Sequence, residues 1–274
     1  MHDGFLKNIG GGVHSVIRKN FTNPYSKLGL SWLDVKKLKH YPASLRKQKF
    51  LNGEVIFYDP REFLYGVKEI FLNEIYKQGF TGNAYIIDCG ANIGLSVLYL
   101  KKICPGARII AFEPDNKNFD LLVKNLQLQK ITDVDVRKEA VWINNSELNF
   151  SEEGGMSSKI AEELSENAVL VKAARLKDLL TQTVDFLKID IEGAEYKVME
   201  DIRENLHFVS NIFLEYHGFF SNQQELTQIF QWLTEAGFKY YIEKAADIFP
   251  TPFYRTMRNT NQYDIQLNIF CFRD

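Results

Sequence analysis

The chain has 274 residues, 45% of them hydrophobic and 25% charged, with a formal net charge of -2. Such a length can bury one substantial core and fits one large domain with an extension better than two equal domains, while the near-neutral charge gives no support to nucleic acid as the main partner. No uninterrupted apolar run is long enough to span a bilayer, the opening "MHDGFLKNIGGGVHSV" lacks a signal-peptide core, and Cys89, Cys104 and Cys271 are scattered without metal-ligand spacing, so a reduced, cytoplasmic protein without structural zinc is expected.

The first fifty residues carry ten basic side chains (Lys7, Arg18, Lys19, Lys27, Lys36, Lys37, Lys39, Arg46, Lys47 and Lys49) against two acidic ones, Asp3 and Asp34. "GGG" at Gly10 to Gly12 reads as flexible, and "LGLSWLDVKKLKHY" as a short amphipathic helix. Two readings of this basic segment stay open: a solvated appendage on the main domain, or a docking surface for an anionic substrate or membrane lipid. "KQKFLNGEVIFYD" predicts a β-hairpin with Asn52-Gly53 in the φ > 0 turn positions. In "DPREFLYGVKEIFLNEIYKQG" Asp59 caps a helix, Pro60 fits its first turn and Glu62 closes a capping box. Phe63, Val67, Ile70, Phe71 and Ile75 make its apolar face, and Gly79 its stop. The expected division is a basic extension with the hairpin over 1–58 and a catalytic domain over 59–274.

From Ala84 onward strands and helices alternate. "YIID" precedes the helix "LSVLYLKKIC", and "ARIIAF" the helix "NFDLLVKNLQLQK"; "DVDVRKEAVW" is a third strand. "VDFLKID" leads into "AEYKVMEDI", "NIFLEYH" into "QQELTQIFQWLTEAG", and the chain closes on "FKYYIE" and "YDIQLNIFCF". This order predicts an α/β fold, a mostly parallel sheet covered by helices on both faces. With no helix between the last two strands, one antiparallel strand is expected at an edge. Between Ile143 and Ala173 the pattern breaks: "INNSELNF" looks like a hairpin and "SEEGGMSSKIAEELSENA" like a polar loop of the kind that borders a site.

The turn after "YIID" is Gly90-Ala91-Asn92-Ile93-Gly94. Its G-x-N-x-G spacing fails the G-x-G-x-x-G that a dinucleotide needs. Asn92 tolerates a left-handed conformation and can replace a middle glycine. Asp88 in front of the turn would repel a phosphate and attract an ammonium or sulfonium, while the helix N-terminus after Gly94 favours a carboxylate. A ligand with ammonium, carboxylate and sulfonium groups fits: S-adenosylmethionine. In "IIAFEP" Glu113, followed by Pro114, ends the second strand where an acid can accept ribose hydroxyls, a role shared with dinucleotide sites. After the third strand Glu139 and Ala140 stand where an acid and a backbone amide could meet an adenine edge; packing of Val141 and Trp142 accounts for "EAVW" equally well.

The segments "IIDCGANIGLSVLYL", "IIAFEPDNKNFDLLVKNLQL", Ala140-Val141, "GGMSS", "LKIDIEGAEYKVMEDI" and "EYH" resemble the FkbM family of S-adenosylmethionine-dependent methyltransferases over about Ala84 to His217. The resemblance implies a Rossmann-like, seven-stranded class I methyltransferase sheet. It also implies O-methylation of hydroxyls on sugars or polyketide-like natural products. "FLYGVKEIFLNEIY" is similar to the leading helix of members associated with glycan biosynthesis.

In "FLKIDIEGAE" alternation sets Lys188, Asp190 and Glu192 on one side, and "FLEYH" does the same for Glu215 and His217. If these strands are neighbours, Asp190, Glu192, Glu215 and His217 converge beside the methyl group; taken singly, each also reads as a capping acid or a satisfied core histidine. His217 is the natural base near neutral pH, and a carboxylate raised by its neighbours could serve instead. Clustered acids could also hold Mg²⁺. No Pro-Pro-Tyr loop of the amino-methylating nucleic-acid enzymes is present. Alternatives from other classes are a catalytically inactive, cofactor-binding scaffold of a glycan-assembly complex and an NAD-dependent oxidoreductase. The acceptor's identity and any oligomer are not legible in these residues.

Overall fold

The structure is a computed structural model that describes residues 23–151, 159–160, 168–259 and 263–273. Lys7, Arg18, Lys19, the Gly10 to Gly12 run and "GGMSS" lie outside the described residues. The chain divides into two compact units: residues 1–75 with 123–132, and residues 76–122 with 133–274. The division therefore falls at Ile75/Tyr76, beyond the boundary expected at 58/59.

In the first unit helix α1 (Trp32–His40) starts in a capping box, with Asp34 N donating to Ser31 Oγ at 3.1 Å and Ser31 N to Asp34 Oδ2 at 2.9 Å. The hairpin forms from β1 (Arg46–Phe50) and β2 (Gly53–Phe57), but its turn is Leu51-Asn52, and Leu51 takes the left-handed φ of 51°. Gly53 answers a different need: a Cβ there would lie 2.4 Å from the Leu128 carbonyl oxygen. Helix α2 (Pro60–Gly66) is capped by Asp59 as expected, with Arg61 N donating to Asp59 Oδ1 at 2.7 Å. It runs into a π-helical stretch over Val67–Leu72 and ends there, short of Gly79; Glu74, at φ 53°, turns the chain away. Phe63, Val67 and Phe71 are buried as the pattern required, and Ile75 lies past the helix. An aromatic core holds the unit: Phe57 stacks on Phe63 with centroids 4.1 Å apart, and Phe50 meets Phe71 edge-on at 5.0 Å. Asn125 brackets the backbone of Ile56, accepting from its N at 2.7 Å and donating to its O at 2.9 Å.

The second unit begins with β3 (Tyr85–Cys89), α3 (Leu95–Ile103), β4 (Arg108–Phe112) and the helix α4 (Asn116–Leu128), whose last residues belong to the first unit. The predicted third strand is broken: β5 (Val134–Arg137) stays in the sheet, and β6 (Ala140–Trp142) leaves it for a second sheet with β7 (Glu147–Ser151), β8 (Lys159–Ile160) and β9 (Ala168–Arg175). That sheet runs β6-β9-β7-β8, so "INNSELNF" is no hairpin; β7 pairs with β9 and β8 instead. The expected polar loop contributes β8 and the first residues of β9, its remainder lying outside the described residues. Then follow β10 (Val184–Ile189), α5 (Glu195–Ile202), β11 (Val209–Gly218), α6 (Gln223–Glu235), β12 (Lys239–Lys244) and β13 (Ile265–Phe272).

The main sheet has seven strands in the order β12-β13-β11-β10-β3-β4-β5. The pairs from β11 to β5 are parallel, and β13 is antiparallel to both its neighbours. The antiparallel strand thus sits one place in from the edge, which β12 forms. This is the class I methyltransferase arrangement. The central strands are apolar on both faces, with Ile86, Ile87, Leu187, Ile189 and Leu214 fully buried, as a sheet covered twice requires. From β3 the chain winds outward through β4 and β5, then returns to add β10 on the other side. The carboxyl ends of β3 and β10 therefore flank the switch point, where such sheets open a crevice. All three cysteines are free and buried. No helix among the described residues is long and apolar enough to cross a membrane.

Candidate active site

At the end of β3 the backbone turns sharply through three left-handed residues, Gly90 (φ 92°), Asn92 (φ 47°) and Gly94 (φ 93°). Asn92 does take the glycine-like conformation. Gly90 is also a matter of space, since a Cβ would come within 1.9 Å of the Asp190 carbonyl oxygen. The turn hangs from β4: Gly90 N and Ala91 N both donate to Phe112 O, at 3.1 and 2.8 Å. Glu113 fastens it further, accepting from Asn92 N at 2.7 Å and from Asp115 N, across Pro114, at 2.9 Å. Burial pushes the Glu113 carboxyl up to about 8, against the pull of those two amides. Glu139 is half-buried at the break after β5, and Ala140 is buried where β6 begins.

Asp88 does not face an opening. It is wholly buried, with Ser96 Oγ donating to its Oδ2 at 2.5 Å and Lys188 Nζ 3.3 Å from its Oδ1. Lys188, equally buried, also donates to Gly90 O at 2.8 Å and to Asp190 Oδ2 at 3.1 Å. Burial disfavours its charge, but Asp190 and Asp88 outweigh that and hold the ammonium well above its ordinary range. The acid that the sequence assigned to a ligand's ammonium is thus taken up inside the protein, locking the turn to β10.

The four acidic-edge candidates do come together. Strand β10 ends at Ile189, so alternation carries only Lys188 and Asp190 to one side; Glu192 arrives through a left-handed turn, φ 54° at Glu192 and 98° at Gly193. On the neighbouring β11, His217 Nε2 lies 3.6 Å from Glu215 Oε1 and 3.7 Å from Glu192 Oε2. One ligand atom each from Asp190, Glu192 and His217 lie within 4.8 Å of one another. Asn268, opposite Glu215 in the β11–β13 register, is buried with its Oδ1 lacking a hydrogen-bond partner.

Glu195 organises this edge. Fully buried at the start of α5, it accepts from Gly193 N at 3.1 Å (Oε1) and 3.0 Å (Oε2), from Ile191 N at 3.1 Å, and meets His217 Nδ1 at 3.1 Å. Burial works against an imidazolium, yet Glu195, the hydrogen bonds and Glu192 raise His217 well above its ordinary value. These partners favour the imidazolium, the form of His217 with no free nitrogen to take a proton. Burial pushes Glu192 up to about 8 although His217 pulls it down, and burial likewise raises Glu215. Tyr263, just before β13, donates to Glu192 O at 2.7 Å and lays its ring 4.9 Å from that of His217.

Lys188, Glu195 and Tyr263 were not among the residues the sequence singled out for the site. Lys188 gave a usable signal, a lone cation in a strand apolar on both faces beyond Asp185 at its start; Tyr263 gave none.

The sequence profile of the methyltransferase FkbM domain matches residues 88–240. The chain is 31% identical over 194 residues to methyltransferase sdnD of Sordaria araneosa, covering 56% of this chain and 74% of that one. It is 28% identical over 182 residues to methyltransferase 1 of Beauveria bassiana, covering 56% and 72%. Among solved structures, the FkbM methyltransferase of Methylobacillus flagellatus aligns with a TM-score of 0.49 at 16% identity, over 73% of this chain; the chain spans 47% of that protein's length. The profile takes in the glycine turn, Glu113 and the whole Asp190–His217 edge, and this chain belongs to the FkbM family of methyltransferases.

Proposed function

We propose that the protein transfers a methyl group from S-adenosylmethionine to a hydroxyl of a sugar, glycan or related natural product. The observation that carries this reading is the convergence of Asp190, Glu192, Glu215 and His217 beside the glycine turn at the switch point. When bound, the cofactor supplies an electrophilic methyl group. The donor set fits it in part. Both Glu113 oxygens accept one backbone N–H each and keep lone pairs for ribose hydroxyls. Gly90, Ala91, Asn92 and Gly94 would let the backbone approach the cofactor, and Glu139 and Ala140 would meet its adenine edge. Asp88 serves from beneath, through Ser96 and Lys188, and Asp190 becomes the acid for the ammonium.

An alcohol must shed its proton as it attacks. Glu192, whose carboxyl is pushed up to about 8, is the proton acceptor in its ionised form, which grows as pH rises toward that value, and the His217 imidazolium offsets the negative charge gathered around it. A positioned base contributes roughly 10²–10⁴-fold, and holding the hydroxyl in line contributes more. The orphan Asn268 Oδ1 is an acceptor for a second hydroxyl of the substrate. A panel of glycans and hydroxylated natural products, read by mass spectrometry for a gain of one methyl group, tests this. Cofactor binding with no product across the panel favours the inactive scaffold, and calorimetric binding of NAD without the methyl donor favours the oxidoreductase.

A second reading has its own support. Asp190, Glu192 and His217 offer a nitrogen and two carboxylates within 4.8 Å, and Glu195 on His217 Nδ1 is the outer carboxylate that metal-binding histidines commonly have. A divalent cation such as Mg²⁺ there would orient the hydroxyl and lower its pKa. Turnover unchanged by chelator, with no cation detected by calorimetry, would leave the carboxylate alone.

A further inference from the structure

Between β12 and β13 runs a segment that the family profile does not reach, "IFPTPFYRTMRNTNQY" from Ile248 to Tyr263. It contains two arginines and no acid. The described part is built, not loose. Thr251 Oγ1 donates to Tyr254 O at 2.7 Å, Asn259 N to Ile248 O at 2.9 Å, and Arg258 pairs with Asp264 at 3.0 Å. Phe220, beyond the end of β11, stacks on Phe249. Among the exposed side chains of this framework are large apolar ones: Phe253 is 100% exposed, Tyr254 75% and Met257 69%, while Phe219 and Phe220, after β11, are each 40% exposed. Arg255 lies over the Phe220 ring without an acidic partner among the described residues. Through Tyr263, which contacts Glu192 and His217, the segment borders the reacting edge.

Large apolar side chains held clear of a hydrogen-bonded turn are suited to entering something soft. Aromatic, proline, methionine and arginine side chains without an acid match the headgroup layer of a membrane. The net charge of -2 would repel an anionic surface, so any attraction must be local, as it is here. We propose that the 249–258 loop is a membrane-docking element: Phe253, Tyr254 and Met257 insert at an anionic lipid surface, Arg255 meets a lipid phosphate, and the methyl acceptor is a hydroxyl carried on a lipid. The acceptor part rests on the methyl-transfer reading; the docking does not.

The test is co-sedimentation of the full chain with vesicles of phosphatidylcholine alone or mixed with phosphatidylglycerol. The chain is expected to sediment with the mixed vesicles. Phe253→Ser/Met257→Ser should weaken this by about tenfold or more, and Arg255→Gln by about fivefold. Absence of sedimentation by the full chain, or equal sedimentation by the double variant, overturns the proposal. So does a dimer in light scattering that the double variant dissociates while neither protein binds vesicles, which would make the loop a contact between copies. Methyl gain on vesicle lipid incubated with the methyl donor, read apart by mass spectrometry, tests the acceptor, and its absence overturns that part while leaving the vesicle result standing.

Discussion

Replacing Lys188 by methionine tests whether the buried ion triad holds the site together. Methionine keeps the unbranched stem and removes the ammonium from between Asp88 and Asp190, 3.3 and 3.1 Å away, and from Gly90 O at 2.8 Å. Asp88, wholly buried, is then left with Ser96 as its side-chain partner. Breaking a buried pair by removing one member costs about 3–5 kcal/mol, a large part of the ~5–15 kcal/mol that a domain has in hand. At roughly 2–4 °C per kcal/mol for a unit of this size, melting should fall by about 10 °C. The ammonium's folded-state pKa is raised, so its contribution is full below the unfolded value and is lost only as pH rises through the higher folded value. Scans at neutral pH therefore sample a constant charge. Adding Asp88→Asn to Lys188→Met should return part of the loss, with a coupling of about 1–3 kcal/mol. The reasoning is refuted if Lys188→Met melts within a degree or two of the parent, or if the double variant is no more stable than the single.

Cofactor affinity should rise with pH toward 8, because hydroxyls donating to Glu113 favour the ionised form of a carboxyl that burial holds near that value; calorimetry across pH checks it, and Glu113→Gln should flatten the dependence. Glu113 also makes the empty protein more stable at low pH, its contribution being full below the unfolded carboxyl value and lost as pH rises through about 8. His217→Asn should lower turnover by about 10²-fold, the scale of losing one electrostatic stabiliser in a site. It should also shift the rising limb of the pH–rate profile to higher pH, since the imidazolium that lowers Glu192 is gone; an unmoved limb would separate His217 from the proton acceptor. Gly90→Ala forces a left-handed alanine and a Cβ 1.9 Å from Asp190 O, so thermal scans should show a loss of at least ~1–2 kcal/mol together with weakened cofactor binding.

How much of this was legible follows from which forces act locally. The helix cap at Asp59, the left-handed Asn92 and the β-α alternation depend on neighbours in sequence, and each appears where the pattern put it. Gly53 and Leu51 show the limit. The Asn-Gly pair promised a turn glycine, but the glycine is required by a helix end far along the chain, and a leucine bears the strained φ. The Asp88 error is of the same kind. Its charge was read as available because the sequence shows no partner, whereas the register sets Lys188 opposite Asp88 on adjacent strands. A lysine in the run "VDFLKID" was the warning, since a charge in a strand covered on both faces must meet an opposite one or go unpaired at several kcal/mol. The same reasoning reverses the role of His217. A histidine alone reads as a base near neutrality, but with Glu195 on Nδ1 and two carboxylates near Nε2 it reads as a cation, which is why the proposed proton acceptor is one of the acids it faces. Residue type therefore marked the candidates, and their partners, visible only once strands are paired, change how each of them reads.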